Sequence, residues 1–428
     1  MEEGRNSSAR AMNTQIGDER KTRWTFFRVG LFFGCFLILF IAAVLSTICH
    51  HGRDDWHVAL RIYRGPFLLI EFIFLLGVNV HAWKSAGIDY VRTFELDPCN
   101  HVSEEDIFEL AALFGVAWAT SILGFLHASI LHIPAYAFPL GLIVVVVLFV
   151  VNPFKVCKHE ARFWFLRVLG RMLGTPFTPF NFADFWLADQ VCSLWFAILD
   201  FYYLGCFYAT NDNWDAAGDT SHCMEKAHVS RCIIAAIPAY LRFAQCCRRF
   251  YDTNEVFPHF LNALKYSTFF FVFGSLALHK VYEGQFSTHA ESPYFYFWLL
   301  SSLVSTFSTF TWDVKLDWGL FEKNAGKNIF LRERLFYSSR SFNKQAPPEI
   351  LFFIYHTSPR FMWNLFRLEF EHIIALEAAS APPDELNEEE VIQKMMDDDD
   401  GVMQCRKRNN ILRREECFAG DFMSTIEK

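Results

Sequence analysis

The sequence predicts an all-α protein, a polytopic transmembrane helical bundle of about eight to nine spans. Three observations lead there. Of 428 residues, 53% are hydrophobic and 18% aromatic, with 49 phenylalanines and only 20% charged; the mean hydropathy is +0.17, and soluble domains rarely look like this. The apolar residues are bunched into runs of about twenty, the length a bilayer core requires of a helix, rather than spread at amphipathic spacing. Basic residues then cluster between particular runs, as the positive-inside rule expects.

Taken in order, residues 1–23 are a polar N-terminus containing Arg20, Lys21 and Arg23. The run WTFFRVGLFFGCFLILFIAAVLSTIC follows. Its length and the lack of a small-residue cleavage site make it a retained anchoring span rather than a signal peptide. Further spans fall near 66–83, 107–131, 135–154, 186–208, 229–247, 259–279 and 293–312, with an interrupted one at 350–370. Residues 24–154 thus form an N-terminal group of transmembrane helices, and 155–372 a second transmembrane domain interrupted near 335–358. Residues 373–428 read as a disordered charged tail with one short helix around Val391 to Met396.

Lys155, Lys158, Arg162, Arg167 and Arg171 crowd the connection after the fourth run, and Arg248 and Arg249 follow the sixth. Both belong on the cytosolic side. The loops TNDNWDAAGDTSHC and HKVYEGQFSTHAE then lie outside, which makes the N-terminus cytosolic. With a net charge of -8 the chain has no basic excess to suggest nucleic acid as a partner; its surroundings are a lipid bilayer.

The twelve cysteines form no metal spacing and read mostly as small apolar packing residues. Cys223 in an outer loop has Cys206 within reach as a disulfide partner, though connectivity is not legible from one sequence. His127 and His132, five apart, share no helical face. No nucleophile, metal or cofactor constellation points to an enzyme, so no catalytic residue, cofactor or metal is expected.

Polar residues inside the runs are the informative ones, because a charge at membrane depth is expensive unless paired or hydrated. Asp189 and Gln190 sit in the fifth run, Arg231 opens the sixth, Lys265 lies early in the seventh, and Asp313 and Asp317 close the eighth. Cations at several depths, balanced by carboxylates, fit a pathway for an anion. Simpler readings stand beside this one. Arg248 and Arg249 are interfacial anchors, and Arg242 snorkels to the same interface. Asp313 and Asp317, four apart and stacked on one helical face, serve equally as a solvated cap or as pathway groups. Arg231 and Lys265 are too far apart to be one anchor.

The stretches TPFTPFNFADFWLADQ, RCIIAAIPAYLRFAQCCRRFYDT, FPHFLNALKYST, WDVKLDWGLFEKNAGKNIFLRE and RFMWNLFRLEFEH carry a resemblance. From about Trp24 to His372 the chain resembles the EXS-domain family of eukaryotic phosphate exporters, with DFWLADQ, WDxKxDWGLF and WNxFRLExEH as the specific motifs. The resemblance implies export of inorganic phosphate through a pathway lined by arginine, lysine and aspartate. The matching positions are Asp189, Arg231, Lys265, Tyr266, Asp313, Asp317 and Arg360. It also implies a homodimer in the plasma membrane or the Golgi. Phosphate suits arginine's paired N–H groups and lysine's compact charge. The carboxylates then orient the cations and keep the site weak enough to release its ion.

The chain departs from that pattern in places. Only a short polar stretch precedes the first span, where the family carries a helical SPX sensor domain, and Glu255 stands where relatives are basic. RLFYSSRSFNKQAPPEILFFIYHTSPRFMWNLF replaces a family span, and its Pro347, Pro348 and Pro359 make a poor uninterrupted helix. Pro359 also replaces the first of two paired arginines and leaves Arg360 alone. The alternative reading that follows is a transport-inactive, shortened form acting as a membrane binding or trafficking partner.

Overall fold

In lipid a backbone must satisfy its own hydrogen bonds, and the apolar runs do so as helices. The computed structural model describes residues 2–49, 55–97, 101–156, 158–179, 181–210, 227–321, 332, 336–337 and 359–380, among which no strand occurs. In chain order the α-helices are α1 (Glu2–Cys49), α2 (Asp55–Ala86), α3 (Tyr90–Thr93), α4 (Glu104–Leu126), α5 (Ala128–Leu131) and α6 (Ala137–Val151). They continue with α7 (His159–Leu173), α8 (Phe182–Ser193), α9 (Trp195–Thr210), α10 (His228–Thr253), α11 (Leu261–Tyr282), α12 (Pro293–Trp312) and α13 (Pro359–Ser380). Single π-turns stand at Val256–Phe260 before α11 and at Asp313–Asp317 after α12.

Among the described residues, α1, α2, α4 and α11 contain segments long and apolar enough to cross a membrane unaided, and α8 with α9 makes a bent pair that passes the same test. The α10, α12 and α13 helices, of 26, 20 and 22 residues, are long enough but carry more polar side chains. Polar side chains of α10 and α13 help build the site described below.

The structure departs from the sequence reading at three places. The fifth apolar run is two helices, which meet at Leu194 with a 69° bend. The predicted tail does not start at 373: α13 continues to Ser380, because IIALEAA is apolar and rich in helix formers, and Ile373 is buried. At the other end α1 extends back to Glu2 through the polar stretch. Most of the interrupted segment, the loop holding Cys223 and the helix expected around Val391 lie outside the described residues. Cys206 is disulfide-bonded.

Two apolar cores organise the bundle. One gathers Tyr63, Trp118, Ala119, Phe125, Leu142 and Phe207 between α2, α4, α6 and α9. The other joins Trp83, Val168, Trp186 and Leu187 to Phe361, Trp363 and Leu368 of α13. Gly65 permits the close crossing of α2 and α9: a Cβ there would meet Asp200 Cβ at 2.9 Å and the Ala197 carbonyl at 3.2 Å. Beside it, Arg64 Nη2 and Asp200 Oδ1 pair at 2.6 Å.

The basic connection after α6 holds the end of that helix. Arg162, 7% exposed, donates to the carbonyls of Phe149 at 2.7 Å, Asn152 at 2.9 Å and Val156 at 2.7 Å. It thereby satisfies orphan acceptors at the C-terminus of α6 and places a positive charge at the negative end of that helix. Lys158 pairs with Asp106 at 2.8 Å, and Arg171 with the buried Asp184 at 2.8 Å.

Candidate functional site

Asp184 fixes the start of α8: its carboxylate accepts the Asn181 N–H at 2.9 Å, as an acidic residue does in a capping box. Five residues on, Asp189 enters the bundle. Its Oδ1 accepts Arg242 Nε from α10 at 3.0 Å and the Tyr266 hydroxyl from α11 at 2.6 Å. Asp189 is 2% exposed and Arg242 1%. The guanidinium of Arg242 lies over the rings of Phe185 and Tyr266, 4.3 and 4.9 Å from their centroids, and donates through Nη1 to Gln245 Oε1 at 2.6 Å. Arg242 therefore does not snorkel to an interface: a carboxylate, an amide and two aromatic faces hold it in place.

The next cation is Lys265, whose Nζ stands 4.3 Å from the Tyr266 ring centroid, 5.2 Å from that of Trp312 and 3.9 Å from Asp313 Oδ1. Arg360, at the start of α13, donates to Ser193 Oγ at 2.7 Å, lies 4.7 Å from the Trp363 ring centroid, and interacts electrostatically with Asp189 and Asp313. Three cations thus face two carboxylates in this cluster. Asp189 Oδ2 is buried without a hydrogen-bond partner.

Asp313 and Asp317 do not stack at α-helical spacing. Their segment is a π-turn, closed by the Trp318 N–H donating to the Asp313 carbonyl at 2.8 Å. The two carboxylates then part company: Asp313 faces Lys265, while Asp317 accepts the Trp363 indole N–H at 3.1 Å. Gly319, at φ +58°, completes the turn under Phe370, whose ring would lie 2.4 Å from an added Cβ.

The α13 motif supports the cluster from behind. Asn364 Oδ1 accepts Trp186 Nε1 at 2.9 Å and Gln190 Nε2 at 2.8 Å, tying α13 to α8. Glu369 pairs with Arg332 and accepts the Phe336 N–H at 2.6 Å, so this part of the segment following the π-turn docks on α13. Arg367 pairs with Glu371 and lies over the Phe185 ring.

Residues 59–357 match the EXS family. The chain belongs to the EXS family. It is similar to solute carrier family 53 member 1 of Mus musculus, 40% identical over 388 residues covering 82% of this chain and 55% of that protein. The Homo sapiens protein of the same name is 40% identical over 389 residues, covering 82% and 56%. The xenotropic and polytropic retrovirus receptor 1 homolog of Danio rerio is 40% identical over 395 residues, again covering 82% and 56%. The chain therefore spans little more than half the length of these relatives.

In this EXS chain Asp189, Lys265, Tyr266, Asp313 and Arg360 meet, Asp317 stands one hydrogen bond behind them, and Arg231 lies elsewhere. Arg231 lines a cavity of about 290 Å³ together with Arg61, Arg64, Asp200, His228 and Lys280. It shares α10 with Arg242 but lies about 16 Å along the axis. The residues missed in the sequence are Arg242 and Gln245. One signal was available: Arg242 stands about 9 Å along the helix from Arg248, deep for a side chain anchored at the same interface.

Proposed function

We propose that this EXS chain exports inorganic phosphate across its membrane, passing the ion between Arg242, Lys265 and Arg360 with no covalent chemistry. The observation that supports this most is a cluster, buried at Asp189, Arg242 and Lys265, in which three cations from three helices face two carboxylates. Phosphate needs charge-assisted donors, and this set supplies two guanidinium groups and one ammonium. The unpartnered Asp189 Oδ2 is an acceptor for a P–OH group, so a protonated phosphate suits the site better than a fully ionised one. Asp313 and Asp189 offset part of the positive charge, which keeps binding weak enough for release. In this reading Arg231 belongs to a second, basic chamber on the same route, and the protein works as a homodimer in the plasma membrane or the Golgi, with its N-terminus in the cytosol.

The test is radiolabelled phosphate efflux from cells lacking their own exporter, with surface amounts matched. The chain should export phosphate, and Lys265→Gln should lower the rate by about tenfold or more, equivalent to about 1.4 kcal/mol of lost interaction. A well-inserted chain without efflux would instead favour a membrane protein that binds partners and does not transport.

A further inference from the structure

The hairpin of α11 and α12 carries a cluster at its closed end that the cation site does not use. His279 lies in the last turn of α11, and Glu283 follows four residues later, at the start of a short 3-10 turn. His289 returns in the next 3-10 turn, His289–Glu291, just before α12. One donor atom from each of the three lies within 4.8 Å of the other two. His289 Nδ1 is 3.5 Å from Glu283 Oε1, and the two imidazole rings stand 5.3 Å apart. Both rings pack against Phe295 of α12, at 5.7 and 6.5 Å. His279 is only 5% exposed, and its Nδ1 is buried with no hydrogen-bond partner. A buried polar atom left in that state costs about 1–3 kcal/mol, which a ligand for the ring nitrogen would remove.

We propose that His279, Glu283 and His289 form a Zn²⁺ site that fastens the end of α11 to the start of α12. Two imidazoles and one carboxylate match the donor preference of zinc rather than that of calcium or magnesium, and leave a fourth position for water. Tetrahedral zinc with bonds of about 2.0–2.1 Å holds its ligands about 3.3 Å apart, so the three side chains must draw in by about an ångström. The exposed His289 is the one with room to move. Lys280 is the built-in competitor: its Nζ lies 3.1 and 3.0 Å from the two oxygens of Glu283 and must yield one of them. The hairpin so fastened carries Lys265 and Asp313 at its opposite end, about 21 Å along α11.

The test uses the full chain purified in detergent and titrated with ZnCl₂, with bound zinc counted after desalting and thermal unfolding followed in parallel. One zinc per chain should be retained beyond that held by His289→Ala, and zinc should raise the wild-type midpoint, as a ligand selective for the folded state does. His289 has a side chain 63% exposed, so His289→Ala keeps the fold while lowering zinc affinity by about tenfold or more. Glu283→Gln should weaken binding in the same direction. Equal zinc retention and equal thermal shifts in wild type and His289→Ala would overturn the site.

Discussion

Arg242 Nε and Asp189 Oδ1 meet at 3.0 Å from two helices, each side chain 2% exposed. Removing one member of such a pair leaves the other charge buried without compensation, which costs about 3–5 kcal/mol. Arg242→Ala should therefore lower the thermal midpoint of the purified protein sharply. Adding Asp189→Asn to that variant should recover much of the loss. Equal destabilisation in the single and double variants would mean that Arg242 contributes packing against Phe185 and Tyr266 rather than charge.

Arg231→Ala should insert normally and, if the proposed route is right, lose phosphate efflux, because its cavity gives up one of its cations. Arg231→Lys should restore part of the flux. Normal efflux in a properly inserted Arg231→Ala protein would remove that cavity from the route.

Trp363→Phe deletes the indole N–H that Asp317 accepts and keeps most of the apolar ring. A buried carboxylate that loses a donor costs about 1–3 kcal/mol. The expected result is a lower unfolding midpoint with Lys265 and Asp313 still in place. A midpoint equal to wild type would show that water replaces the indole.

Gly65→Val inserts branched bulk where even a Cβ comes within 2.9 Å of Asp200 Cβ. Helix α2 and helix α9 must then separate, at a cost of about 1–3 kcal/mol by the usual penalty for overpacking. Gly65→Ala should show a smaller effect of the same sign. Unchanged stability in both would mean that the crossing has slack.

Much of the fold was legible because the bilayer demands long apolar helices, and these announce themselves as runs. The bend at Leu194 was not, since DQVCSLWF contains neither proline nor glycine to mark it. Lys265 stood out as a charge hard to explain as an anchor, while Asp313 was open equally to a cap and to a pathway role. Arg242 did not stand out, because Arg248 and Arg249 on the same helix offered a simpler account. What distinguishes it is a partner on α8 and another on α11, which are facts of tertiary structure. The pairing of Asp317 with Trp363 was hidden for the same reason, and the π-turn gave no warning in composition. His279 and His289 are ten residues apart and become neighbours only because the chain reverses between α11 and α12.

The contacts that hold Arg242 have a further meaning for the neighbouring Lys265. A planar cation held by a carboxylate, an amide and two aromatic rings has few other positions open to it, whereas an ammonium on four methylenes has more. An anion entering this cluster would meet one stationary charge and one that can follow it. For such an anion the stationary charge would set the depth of the electrostatic well and the mobile one would lower the barrier out of it, like a fixed post beside a swinging arm.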